Sequence, residues 1–357
     1  MNITFFIGGL SGGGAERVIC NLANFLSTKK NNCTILTMAE EQSTYNLMDS
    51  VKTKTLLRKK ERRNTIVDNA KRVIRLKKFI RTQSADVYIV FLPVTIIFFL
   101  LFRKCTNARV IVSERADPSR YSKLIQWMLR RLAPRADIWV FQTEDAQRWY
   151  GDVVKRKIII PNAINEEFIR PLYEGERRKV IVAAGRLNEQ KNFSMLIRAF
   201  ANIADEFPDY KLEIFGEGEK RKELEQLAKD LKIEHRLSMP GYVSDLGEQI
   251  QDATLFVLSS NFEGMPNTLM EAMALGLPCI STDCPVGGPR YLIDNGENGI
   301  LIPIQDMMAL SNAMRDVLSQ MELSIKLGNN ATYIKERLNP ERIYQKWENI
   351  LLENNMN

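Results

Sequence analysis

The sequence contains a single histidine, His235, in a charged connection between a predicted helix and strand. Histidine-based proton transfer or metal ligation therefore has one candidate, and a solvated role accounts for it more simply. Cysteine is sparse and odd in number: Cys20, Cys33, Cys105, Cys279 and Cys284 form no Cys-x-x-Cys. That excludes a zinc ribbon or a disulfide framework and points to reduced thiols in a cytoplasmic protein. The stretch from Met1 to Ile7 has neither a basic n-region nor a cleavage site, so no signal peptide is expected. The most apolar run, Val87 to Phe102, is interrupted by Pro93 and closed by Arg103 and Lys104. It falls short of the roughly twenty residues that span a bilayer. No short-period repeat or low-complexity tract is visible. Glycine spacing matches neither the dinucleotide fingerprint nor the P-loop. No Asp-x-Asp stands at a predicted strand end, so a metal bridging a diphosphate is not indicated.

What is present describes a two-domain globular chain. Its 357 residues exceed one ordinary core, and 45% apolar with 26% charged residues is the balance of a soluble fold. The net charge of +7 is unevenly spread: Lys52 to Arg81 holds thirteen Lys or Arg against Glu61 and Asp68. Such an excess suits a surface meeting lipid headgroups, a diphosphate or nucleic acid, or a solvated basic helix over Asn69 to Thr82. Phe79 is the only aromatic residue in the helical part of that stretch, so a base-stacking platform is not suggested.

Short apolar strands alternate with amphipathic helices, which implies parallel sheets covered on both faces. The rhythm starts with Asn2 to Ile7, the loop Gly8 to Gly14 and a helix from Ala15 to Leu26. It restarts at Val180 to Ala184, after a candidate hinge at Pro161 to Asn165. The expected fold is α/β, two doubly wound domains facing across a cleft. The expected boundaries are 1–163 and 164–338, with a last helix in 339–357 packing back on the first domain. Val87 to Phe91 should be a buried strand; the apolar helix after it could be core or could dip into a membrane face.

The candidate chemistry sits in two strand-to-helix loops of the second half. Arg186 and Lys191, five residues apart beside a helix N-terminus, suit a diphosphate, though solvated surface cations are the alternative. After the apolar run Thr254 to Leu258 comes a loop carrying Glu263, then Pro266 at a helix start, then Glu271 on that helix. Glu271 shares a side with Asn267 and Thr268. Cations for phosphates beside carboxylates for hydroxyls make a pattern suited to a nucleotide sugar, and a helix carboxylate can accept from both ribose hydroxyls. A surface loop with solvated acids is the plain alternative.

Gly185-Arg186-Leu187-x-x-x-Lys191-Asn192 and Glu263-Gly264-x-Pro266-x-x-x-x-Glu271-Ala272 resemble the two signature segments of the retaining family 4 glycosyltransferases, of GT-B fold. Gly12 to Arg17 is similar to their first loop and Asn298 to Leu301 to their late turn. The resemblance, closest to enzymes that build bacterial surface polysaccharides, implies metal-independent transfer of a hexose or N-acetylhexosamine. The donor would be a nucleotide-diphosphate sugar, UDP-sugar favoured; it is a co-substrate, and no cofactor is expected.

By the same resemblance Arg186 and Lys191 would bind the diphosphate, Glu271 the ribose, and Glu263 would lie at the transferred sugar. Gly264, Met265, Pro266, Asn267 and Thr268 would hold sugar and phosphate, Tyr242 would lie near the base, and Gly13 and Gly14 would approach from across the cleft. Many relatives carry a histidine in the first domain that this chain lacks; Glu114 and Arg115 stand at that strand end and would orient the acceptor, or form a structural ion pair. The acceptor would be a glycan or a polyprenyl-diphosphate-linked sugar; the basic stretch and the apolar run suit peripheral contact with anionic lipid at the inner face of the cell membrane, and no nucleic acid is expected. A sugar-nucleotide epimerase and a non-enzymatic polyanion-binding protein are the competing readings.

Overall fold

A computed structural model describes residues 1–10, 12–39 and 45–353; Ser11, inside the predicted glycine loop, lies outside them. The chain forms two compact units, Met1–Ala163 with Glu341–Asn357, and Ile164–Pro340. The first is built on β1 (Asn2–Ile7), β2 (Asn32–Thr37), β3 (Lys52–Thr55), β4 (Val87–Phe91), β5 (Arg109–Ser113), β6 (Ile138–Phe141) and β7 (Lys157–Ile159). All pair in parallel, in the order β3-β2-β1-β4-β5-β6-β7. The second holds β8 (Arg178–Ala184), β9 (Lys211–Phe215), β10 (Leu237–Gly241), β11 (Ala253–Leu258), β12 (Cys279–Thr282) and β13 (Ile300–Ile302). These run in the order β10-β9-β8-β11-β12-β13, again parallel.

The central strands read as unbroken apolar runs because helices cover both faces of each sheet. Every residue of β4 is buried, and in β11 only Thr254 is partly exposed. In both units the winding reverses beside the first strand, between β1 and β4 and between β8 and β11. Loops leaving the carboxyl ends of two such strands diverge, which leaves a crevice.

β3 has no strand signal in the sequence. Its residues Lys52, Thr53, Lys54 and Thr55 include nothing apolar, and it lies at the sheet edge where lysines are tolerated and discourage further pairing. The helix predicted from Asn69 starts earlier, at Thr65, because the Asn64 side chain accepts from the Val67 amide and caps it. The apolar helix Pro93–Leu101 is core: Ile96, Ile97, Phe99 and Leu100 are buried, while Val94 and Leu101 face solvent. The last helix, Pro340–Leu352, belongs to the first unit; Trp347 is buried there and stacks on Phe91 at 6.2 Å. Arg109 extends that anchoring by donating from Nη1 to the Ile350 carbonyl at 2.6 Å.

Candidate active site

The loops after β8 and β11 flank the reversal point of the second sheet, and side-chain amides tie them together. Asn261 donates from its amide to the Gln190 carbonyl at 2.8 Å and from Nδ2 to the Glu189 carbonyl at 2.9 Å. Gln190 donates to the Phe262 carbonyl at 3.1 Å, and Ser259 Oγ to the Lys191 carbonyl at 2.8 Å. Asn192 takes a left-handed conformation, φ 47°, so that its side chain can cap the helix Phe193–Ile203 while Nδ2 donates to Asn261 Oδ1 at 3.1 Å.

This binding of loop to loop brings Lys191 Nζ to 2.7 Å from Glu263 Oε1, with the two side chains 14% and 9% exposed. Ser260 Oγ donates to the same oxygen at 2.8 Å. In so secluded a place an ion pair is held by geometry rather than by screening-limited attraction. Beneath it, Thr282 Oγ1 and Cys284 Sγ both donate to the Ser260 carbonyl, at 2.6 and 3.1 Å. Burial pushes the Cys284 thiol up to about 12, so at neutral pH it is a protonated hydrogen-bond donor and no nucleophile.

Close backbone contact fixes the rest of the Glu263 loop. A Cβ at Gly288 would stand 1.8 Å from the Gly264 carbonyl oxygen, so only glycine lets the two segments meet. Met265 and Pro266 are buried at this contact, and the helix Asn267–Ala274 starts after them. On that helix Glu271 is buried and Thr268 Oγ1 is sequestered without a hydrogen-bond partner. Arg186 is exposed at the end of β8, and Tyr242, which follows β10, is 79% exposed.

The sequence candidates of the first unit occupy two further strand ends. After β1, the amides of Gly12 and Gly13 donate to Glu16 Oε2 at 2.6 and 2.9 Å, and Gly14 opens the helix Gly14–Thr28. After β5, the buried Glu114 carboxylate accepts from Tyr121 and Tyr150 hydroxyls, both at 2.7 Å, and from the Arg115 and Ala116 amides. Arg115 lies over the Phe91 and Trp347 rings at 5.0 and 5.5 Å and donates from Nη1 to Asn162 at 2.8 Å. Burial lowers the Arg115 guanidinium to about 9. Tyr150 was not legible as a partner, since nothing local marks a contact spanning 36 residues, and Tyr121, seven residues on, carries no motif that pairs it with Glu114.

Burial also raises the Glu114 carboxyl, against the opposing pull of its four donors. A carboxyl raised on folding favours the folded state below its unfolded value, near 4.3, and that advantage is lost as pH rises through the folded value. Glu114→Gln should therefore gain melting temperature relative to the parent as pH rises from about 4. A relative fall in thermal scans would mean that the four donors outweigh burial.

Among the described residues no three His, Cys, Asp or Glu side chains converge on a point that could hold a metal ion. The glycosyltransferase family 4 model matches residues 12–168, and the glycosyl transferases group 1 model matches residues 165–333.

The chain is a glycosyltransferase, a family 4 domain followed by a group 1 domain.

This glycosyltransferase is 28% identical, over 99% of both chains, to a Campylobacter jejuni enzyme named GalNAc-alpha-(1->4)-GalNAc-alpha-(1->3)-diNAcBac-PP-undecaprenol alpha-1,4-N-acetyl-D-galactosaminyltransferase. Its fold matches the sucrose-phosphate synthase of Thermosynechococcus elongatus with a TM-score of 0.84 over 98% of each chain, at 18% identity. It matches Anabaena HepE in complex with UDP with a TM-score of 0.81, over 98% of this chain and 99% of that one, at 16% identity. These likenesses give the glycosyltransferase the GT-B fold.

Proposed function

We propose that the chain is a retaining hexosyl- or N-acetylhexosaminyltransferase of bacterial surface-polysaccharide synthesis. It takes its sugar from a UDP-sugar, held by the second unit, and delivers it to a lipid-linked glycan met by the first. The observation that carries this reading is the Lys191–Glu263 pair, 2.7 Å apart at the reversal point of a doubly wound sheet. UDP is favoured because HepE was solved with it; a lipid-linked acceptor, because the Campylobacter enzyme is named for one.

In this mechanism Arg186, Lys191 and the N-terminus of the helix Asn267–Ala274 stabilise the charge that develops on the leaving diphosphate. Glu271 accepts from the ribose hydroxyls, Tyr242 lies against the base, and the segment Gly264 to Thr268 holds sugar and phosphate. Glu263 positions the transferred sugar. Its two hydrogen-bonded partners on one oxygen, a cation and a hydroxyl, make it a poor nucleophile, which favours same-face attack over a glycosyl-enzyme. The leaving phosphate oxygen then takes the acceptor proton, and no metal or other cofactor is required. Glu114 and Arg115 shape the acceptor side.

Peripheral contact with the inner face of an anionic membrane completes the reading. No helix among the described residues is long and apolar enough to cross a membrane. The helix Lys123–Leu132 exposes Leu124 and Trp127, 66% and 63%, beside exposed Lys123 and Arg131. An exposed tryptophan among cations is suited to the headgroup layer.

Thermal unfolding with UDP-, GDP- and ADP-sugars tests the donor. A UDP-sugar at a hundred times its dissociation constant should stabilise the fold by about 2.7 kcal/mol. Stabilisation by a GDP-sugar alone would sink the choice of base, and consumption of donor without acceptor would favour an epimerase.

A further inference from the structure

We infer that a cationic groove between β3 and the helix Thr65–Thr82 is a binding site for a diphosphate ester. The groove encloses roughly 1160 Å³, and its cations come from three separate elements. Lys54 lies on β3, Arg58 to Lys60 form the turn that follows, and Arg75 and Lys78 project from the helix. Leu10, Leu36 and Phe79 supply apolar walls.

A basic edge strand alone would be explained by avoidance of sheet-to-sheet pairing. That account does not cover the convergence of a turn and a helix on the same concavity. The acid nearest the groove is already neutralised. Glu61 binds Arg75 through both oxygens, at 2.7 and 2.8 Å, and also accepts from the Arg58 amide at 3.0 Å. That pairing holds the Glu61 carboxyl down to about 2, so it stays an anion committed to the groove's frame at any physiological pH. Lys71 adds a bond from Nζ to the Glu61 carbonyl at 3.1 Å, which fastens the turn to the helix. The other charged lining residues, Lys54, Arg58, Lys59, Lys60 and Lys78, are all cations, and Lys54 Nζ donates to Gln83 Oε1 at 3.0 Å.

Position argues for a ligand as well. Leu36 and Thr37 end β2 and Leu10 follows β1, so the groove opens at the carboxyl ends of the strands, where doubly wound sheets take ligands. Its concavity suits a compact, highly charged group better than a flat bilayer surface. A diphosphate brings several oxygens to several ammonium and guanidinium donors at once. This assignment rests on the proposed lipid-linked acceptor, whose diphosphate would be the group held; an anionic headgroup offers the same chemistry from another source.

The test is the full-length Lys59→Glu/Lys60→Glu variant, altered at exposed side chains. Calorimetric titration with inorganic pyrophosphate should show at least tenfold weaker binding than the parent, with an affinity that falls as salt rises. Any pyrophosphate taken by the second unit contributes equally to both proteins. In transfer assays KM for a polyprenyl-diphosphate glycan should rise at least tenfold, while KM for the UDP-sugar stays within twofold. Flotation with phosphatidylglycerol vesicles separates the sources: unchanged flotation with raised acceptor KM assigns the groove to the acceptor. Lost flotation with unchanged acceptor KM would overturn that assignment in favour of headgroups. Equal pyrophosphate affinity in parent and variant would overturn the site itself, and that readout stands even if no donor supports transfer.

Discussion

Lys191→Ala is expected to lower kcat by about two to three orders of magnitude, the usual loss when one donor to developing negative charge is removed. Its Nζ lies 2.7 Å from Glu263 Oε1, so the substitution also leaves a secluded carboxylate with Ser260 as its remaining side-chain donor. Part of the loss will therefore appear as stability, because removing one partner of a secluded pair strands the other. Glu263→Gln separates the two effects. The amide keeps an oxygen for Ser260 and Lys191 and nearly the same volume, so melting should change little while transfer is lost. If the pair acts as a unit, the double variant should be hardly slower than either single one. Single-turnover transfer of a labelled sugar, read beside thermal scans, decides; full turnover in either single variant would remove this pair from the chemistry.

Trp347→Ala is expected to cost the first unit about 3–5 kcal/mol, the range for deleting a fully buried large aromatic side chain. The indole is 1% exposed, stacks on Phe91, and lies under the Arg115 guanidinium at 5.5 Å. Its loss opens a cavity and strips Arg115 of one of the two rings that offset its burial. All four tryptophans, Trp127, Trp139, Trp149 and Trp347, lie in the first unit, so fluorescence reports that unit's unfolding. The variant's denaturant midpoint should fall with the three remaining tryptophans as probes. An unchanged midpoint would mean that the last helix adds little to this unit.

The fold was readable because its strands announce themselves. Buried parallel strands such as β4 and β11 are short apolar runs with no polar face, and the glycine and charged loops after them mark the turns into helices. β3 was invisible for the converse reason, being an edge strand without a single apolar residue. Within the site, the loop residues Arg186, Lys191 and Glu263 were legible as charges at strand ends. Their pairing was not: Lys191 and Glu263 are 72 residues apart, and the signature segments imply phosphate for one and sugar for the other. The same holds for Glu114, whose partners Tyr121 and Tyr150 come from different elements, and for Ser260 and Cys284 under the Glu263 loop.

By itself the sequence determined the two-fold α/β rhythm, the family signature segments, and the basic excess of residues 52–81. Those are properties of local pattern: apolar period, turn chemistry and charge count. Only the tertiary structure decided which of these charges meet. Sheet order places β8 beside β11 although β9 and β10 intervene in the chain, and that neighbourhood makes an ion pair from Lys191 and Glu263. Folding of the basic stretch back on itself likewise turns a count of cations into a concave site, because its strand, turn and helix meet only in three dimensions, beside Leu10, Leu36 and Thr37 from the neighbouring strand ends.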